Sequence, residues 1–202
     1  MTPLQRLFVV FALGCLIVFS SGLAMAGEGG SASPLASSPL FTESGFITGF
    51  GSASIDEGDY ETVLLIWHLG INLDRFFPSL KKHKGNLTFF IEPQVNPVIN
   101  PEEDFEFGVG LGLQYRYPFT DKVSAYVMGS VGPHYISVVT DDQANGFIFA
   151  DTIGAGLYIH VTERAALNIG YRFRHMSNCD ISERNNGIDS HFGVIGFSVF
   201  FN

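Results

Sequence analysis

The sequence predicts an all-β fold, an eight-stranded antiparallel transmembrane β-barrel, and three observations carry that expectation. Apolar side chains alternate with small or polar ones over long stretches, and period two is the signature of strands. Of the 202 residues, 46% are hydrophobic and only 15% charged, where soluble domains carry about 25%. Many alternating segments also exceed the roughly 5–6 residues usual in soluble strands and match the roughly 9–11 tilted residues that cross a bilayer.

Taken in chain order, residues 1–26 read as a cleavable signal peptide. Arg6 supplies the positive start, Leu7 to Phe19 the apolar core, and Ala24-Met25-Ala26 the small residues that precede cleavage before Gly27. Residues 27–44 are rich in Gly, Ser and Pro and predict a flexible N-terminal arm. Residues 45–202 then form the barrel. Alternation predicts strands at about 46–54, 60–74, 87–98, 105–118, 122–136, 146–161, 164–177 and 189–201. The fourth is the clearest: Phe105, Phe107, Val109, Leu111, Leu113, Tyr115 and Tyr117 share one face, and Glu106, Gly108, Gly110, Gly112, Gln114 and Arg116 the other. In the sixth, Asp151 interrupts an otherwise apolar face. Cys15 leaves with the signal, so the lone Cys179 excludes an internal disulfide.

Alternation alone does not say which face is inside. A soluble exported barrel or sandwich points its apolar face inward, whereas a membrane barrel points it at lipid. Strand length, the 20 Phe residues and the polar set Glu92, Gln94, Gln114, Arg116, Arg172 and Arg174 favour the membrane. His68, His134 and His160 share the polar parity and read as interior groups. With eight strands the interior is filled by side chains rather than open as a pore. With both termini in the periplasm, the links facing outward carry Asp56, Glu57, Asp59, Glu102, Glu103, Asp104, Asp141 and Asp142. This acidic rim reads as plain loop solubility or, alternatively, as carboxylates that divalent cations bridge to anionic lipid headgroups. The net charge of −9 excludes nucleic acid as a partner.

Chemistry concentrates in residues 170–190. His175 and Ser177 are two apart on a strand and share a face. A hydroxyl needs an adjacent base to act as nucleophile, and that base needs a carboxylate to fix its tautomer. The last hairpin returns at Asp189; a register with Ser177 opposite Asp189 sets that carboxylate diagonal to His175. All three share parity with apolar side chains, so a hydrolytic triad here meets only membrane lipid. The alternatives are a metal site of His175, His191 and Asp189, or a structural pair. His191 reads as an interfacial residue, Asn186-Gly187 as a turn dipeptide and Cys179 as a free loop thiol. No cofactor is expected.

His175-Met176-Ser177-Asn178, followed by Asn185-Asn186-Gly187-Ile188-Asp189, resembles the signature of the outer-membrane lipid A 3-O-deacylase (PagL) family. The resemblance implies an eight-stranded barrel that hydrolyses the 3-O ester of lipid A, the membrane anchor of lipopolysaccharide, at the outer leaflet. It implies Ser177 as nucleophile, His175 as general base and Asp189 as the acid, one methylene shorter than the family's Glu. Asn178 and Asn185 would support the oxyanion. The rival expectations are a non-catalytic small barrel with a structural or adhesion role, and a phospholipid esterase.

Overall fold

The computed structural model describes residues 39–201. Eight strands follow one another: β1 (Phe41–Ile55), β2 (Gly58–Asn72), β3 (Asn86–Asn100), β4 (Asp104–Pro118), β5 (Val123–Ile136), β6 (Gly146–His160), β7 (Ala165–Ser177) and β8 (Ile188–Phe200). Each pairs antiparallel with its chain neighbours, and β1 pairs with β8 to close the barrel. Closure leaves no edge strand, which a hydrocarbon surround demands because lipid offers backbone groups no partner. The two described termini, the start of β1 and the end of β8, and the β2–β3, β4–β5 and β6–β7 links lie at one end. The four other links lie at the far end. Two short 3-10 turns, Leu73–Arg75 and Pro78–Lys82, occupy the β2–β3 link.

All eight expected strands are present. β1 starts at Phe41, inside the segment 27–44 that composition assigned to an arm. Glu43 explains the extension: it turns inward, is 2% exposed and accepts a hydrogen bond from the Tyr158 hydroxyl at 2.7 Å. The expected signal peptide and the rest of the arm lie outside the described residues.

The apolar face points outward. Phe50, Leu113, Val127, Ile153, Ile169 and Ile195 are all exposed on the wall, while Glu92, Gln94, Gln114, Arg172 and Arg174 are buried inside. This arrangement inverts a soluble barrel and matches one dissolved in lipid. His68 and His134 are buried within as expected, and His160 is half-buried at the termini end.

The interior is packed along most of its length, and a cavity of about 330 Å³ lined by Arg116, Ser124 and His160 among others opens at the termini end. Near the termini, Phe90, Tyr126, Tyr158 and Phe200 form an aromatic cluster. At the far end, Tyr60, Val98, Ile136, Ile148, Met176 and Ile188 form an apolar plug. Between them lie two bidentate ion pairs. Arg172 holds Glu92 at 2.7 and 2.8 Å, with His68 Nδ1 also 2.8 Å from that carboxylate. Arg174 holds Glu106 at 2.7 and 2.9 Å, and Tyr60 and Asn96 donate to the same carboxylate at 2.5 and 3.0 Å. The void beside Arg172 and Arg174 measures only about 10 Å³, at the lower limit for one water. Inward glycines make room for the large rings: a Cβ at Gly156 would lie 2.6 Å from the Tyr126 hydroxyl.

A buried ion pair is worth little against an apolar replacement, but removing one partner strands the other charge. Arg174→Met is therefore expected to destabilise the barrel by about 3–5 kcal/mol, read by urea titration in lipid vesicles. Arg174→Met combined with Glu106→Leu should recover part of that loss, the remainder reflecting the acceptor that Tyr60 and Asn96 lose.

Candidate active site

β7 and β8 end in the site, and the interior plug positions them. Met176 and Ile188 face each other as the last pair of the β7–β8 ladder. Both are fully buried in the far-end plug. Alternation then sends their neighbours His175, Ser177 and Asp189 to the outer wall. Two apolar anchors inside thus hold three polar groups outside.

His175 stands directly opposite Asp189. The register expected from the sequence, Ser177 opposite Asp189, is off by two residues. A shift of two keeps every side chain on its face, so parity had no power to choose; the Met176–Ile188 packing and the loop at 178–187 make the choice. The observed register brings acid and base closer. His175 Nδ1 lies 2.6 Å from Asp189 Oδ1, so the shorter Asp reaches the ring without difficulty. The two side chains are 40% and 62% exposed, so the pair is open to whatever bathes the wall.

With Nδ1–H donating to the carboxylate, Nε2 is the basic nitrogen. Gly187 lies against that edge of the ring: a Cβ there would sit 2.7 Å from His175 Cε1 and 3.4 Å from Nε2. Gly187 also has φ +83°, a conformation that costs any other residue. Asn186-Gly187 is a turn dipeptide by its residue types, and only the fold brings Gly187 against the imidazole.

Ser177 is half-buried on the same face as His175 and pairs with Phe149 of β6. Among the described residues, no hydrogen bond joins Ser177 Oγ to His175. Such contacts often tighten only when substrate is bound. Immediately after Ser177 the chain turns sharply: Cys179 and Asp180 both have positive φ, 52° and 62°, a rare strained conformation that clusters at functional sites. Asn178 and Asn185 brace this turn. The Asn178 backbone N–H donates to Asn185 Oδ1 at 2.7 Å, and Asn178 Nδ2 donates to the Arg184 carbonyl at 2.9 Å. Asn185 Nδ2 in turn donates to Asp180 at 3.0 Å. Asn178 Oδ1 is buried without a partner.

His191 takes no part in the His175–Asp189 pair. Its Nδ1 is 2.5 Å from the Tyr171 hydroxyl and its ring packs 5.2 Å from Phe173, which fits an interfacial residue better than a metal ligand. Cys179 is an exposed free thiol. Several rim carboxylates serve as loop fasteners. Asp142 accepts from the Asp56 N–H at 2.8 Å and from Asn186 Nδ2 at 3.0 Å, and Glu57 accepts from the Asp141 N–H. Among the described residues, no group of three His, Cys, Asp or Glu is spaced to hold a metal ion.

The family model described as lipid A 3-O-deacylase (PagL) matches residues 65–198, well over half of the chain and all of the site. None of the curated proteins matches. Among solved structures, the chain is similar to the crystal structure of the outer membrane enzyme PagL, with TM-score 0.56 and 17% identity over 76% of this chain and 97% of that one. It is also similar to the Neisserial surface protein A (NspA), with TM-score 0.59 and 14% identity over 81% of this chain and 98% of that one. At such identities these likenesses establish the fold alone, and one fold hosts many functions. The family model is what separates the two.

Gly187→Ala is expected to displace His175. Hydrolysis of a p-nitrophenyl ester by the purified protein should fall roughly tenfold or more, since small misplacements of a catalytic group are costly. Heat-modifiable electrophoretic migration should show the barrel still folded.

Proposed function

This chain belongs to the lipid A 3-O-deacylase (PagL) family of outer-membrane β-barrels, and on that premise we propose that Ser177, His175 and Asp189 are its catalytic triad. The observation that carries the reading is the 2.6 Å contact between His175 Nδ1 and Asp189 Oδ1 on the outer wall, two residues from a serine on the same face. A carboxylate on Nδ1 fixes the tautomer that leaves Nε2 to act as base. The lipid-facing location suits a substrate that is itself a membrane lipid.

In the proposed reaction, Ser177 Oγ attacks the carbonyl carbon of the 3-O ester as His175 Nε2 takes its proton. Asp189 stabilises the imidazolium through the Nδ1–H bond. The tetrahedral intermediate collapses, the C–O bond to the sugar breaks, and His175 returns the proton to the departing 3-hydroxyl. Water then attacks the acyl-serine, with His175 again as base. A free fatty acid leaves and Ser177 is regenerated.

Asn178 and Asn185 take the supporting role at the oxyanion. The Asn178 N–H immediately follows the nucleophile, as donors to developing charge often do. Its bond to Asn185 Oδ1 sets the orientation of the turn, and exchange of that acceptor for the oxyanion would present the donor to substrate.

Mass spectrometry of lipid A from cells expressing the wild-type chain should show loss of one acyl chain, and fragmentation should place that loss at position 3. Ser177→Ala should leave the lipid A intact while the barrel folds. An unchanged wild-type spectrum with folded protein overturns the reading for that host. Asp189→Asn should lower kcat on the order of 10³-fold, because the amide no longer enforces the productive tautomer.

A further inference from the structure

The strands turn three arginines inward, and only two of them are matched by carboxylates. Arg172 and Arg174 each hold a glutamate through paired hydrogen bonds. Arg116, on the inner face of β4 toward the termini, makes no hydrogen bond or ion pair among the described residues. Its guanidinium packs on the Phe200 ring at 4.3 Å and lies 5.8 Å from that of Tyr158. Its Nη1 is buried without an acceptor. A buried cationic donor left unmet is costly, so Arg116 calls for an anion that the described side chains do not supply.

Arg116 lines the cavity of about 330 Å³ at the termini end. Lys84, from the β2–β3 link, and His160, at the end of β6, line the same space. Lys84 Nζ packs over the Tyr117 ring at 5.0 Å and pairs with no carboxylate among the described residues. Ser124 and Thr120 add hydroxyl groups. Ser124 Oγ is 3.4 Å from His160 Nε2. Thr120 Oγ1 accepts from the Lys122 and Val123 N–H groups, which leaves its own hydrogen to donate. Two carboxylates lie toward this end, and neither pairs with Arg116 or Lys84 among the described residues. Asp121 lines the cavity, and Glu43 accepts from the Tyr158 hydroxyl at 2.7 Å.

We propose that this cavity is a binding site for a phosphate group, carried by a phospholipid headgroup of the surrounding leaflet or by a soluble phosphate compound. The guanidinium of Arg116 donates paired N–H bonds to two phosphate oxygens, and Lys84 adds a point charge. Ser124, Thr120 and the His160 ring donate to the remaining acceptor positions. A tetrahedral oxyanion presents oxygens in several directions, which suits donors that converge from β4, β5, β6 and two links; a planar carboxylate meets fewer of them. A lipid has a route to the cavity. Pro118 and Thr120 line it, and Phe119 between them is 62% exposed, so a headgroup can enter across this turn while its acyl chains stay against the wall. The site lies at the opposite end of the barrel from the His175–Asp189 pair and takes no part in ester hydrolysis.

The test titrates the folded full chain in an uncharged detergent at low salt, read by isothermal titration calorimetry with empty micelles as the blank. The probes are inorganic phosphate and a short-chain phosphatidylglycerol. The wild-type protein should bind at least one probe with saturation at a single site. Arg116→Gln and Lys84→Gln should each weaken that binding about tenfold or more, the loss expected of a hydrogen bond to a charged group. Lys82→Gln removes an exposed lysine of the same link that lies outside the cavity, and should leave binding unchanged. Heat-modifiable migration selects folded protein, and the exposed Lys84 supplies a variant that does not disturb the interior. Tighter binding of the phosphatidylglycerol assigns the site to a lipid headgroup; tighter binding of inorganic phosphate assigns it to a soluble compound. The proposal is overturned if the wild type binds neither probe saturably, or if Arg116→Gln and Lys84→Gln bind as the wild type does. It is equally overturned if Lys82→Gln weakens binding as much as Lys84→Gln, since the attraction then belongs to the basic link as a whole.

Discussion

Hydrocarbon gives a backbone N–H or C=O nothing to bond with, and everything else in this molecule follows from meeting that demand. Eight strands closing β1 onto β8 satisfy every ladder from within. Closure at eight fixes an interior just wide enough for side chains, and the alternation of the strand makes that interior the refuge for polar groups. Arg172 and Arg174 are buried only because Glu92 and Glu106 meet them with paired hydrogen bonds. The same alternation projects His175, Ser177 and Asp189 out onto the wall. A site on the outer wall is thus a direct product of barrel geometry, and needs only polar residues at positions that would otherwise carry Leu or Phe.

The interior also supplies the precision that the exposed pair lacks. His175 and Asp189 are half open to their surroundings, and an exposed hydrogen-bonded pair holds its geometry poorly by itself. Here the backbone beneath them is pinned by Met176 and Ile188, each fully buried and paired across the last rung of the ladder. Gly187 permits the loop to come up against the imidazole edge. The site is therefore rigid from below and open from above.

Much of this was legible in the residue order. Eight strands could be read within a few residues because period two is a local pattern, and Phe105 through Tyr117 show it almost without interruption. The faces were legible because Glu92, Gln114, Arg172 and Arg174 share the parity opposite the aromatic run. His175 and Ser177 stood out as candidates by spacing, and Asp189 by the return of the hairpin. The pairing of His175 with Asp189 was not legible, since any even shift of register preserves parity. Nor was the start of β1, because Glu43 and Ser44 resemble the polar arm and become strand only through partners far along the chain, Tyr158 for Glu43 and Trp67 for Ser44, whose hydroxyl accepts from the indole N–H. Register and long-range partners lie beyond a pattern read one strand at a time.

Placing the proposed catalytic pair on a convex wall, rather than in a cleft, changes what governs turnover. There is no cavity to fill from solution, so the substrate arrives by lateral diffusion in two dimensions and the products leave the same way. The quantity that saturates such a catalyst is the mole fraction of substrate in the surrounding leaflet, with bulk concentration largely irrelevant. Neighbouring lipids that are not substrates compete simply by occupying the wall. Changes in leaflet composition therefore act on the rate directly, without any ligand-binding switch in the protein.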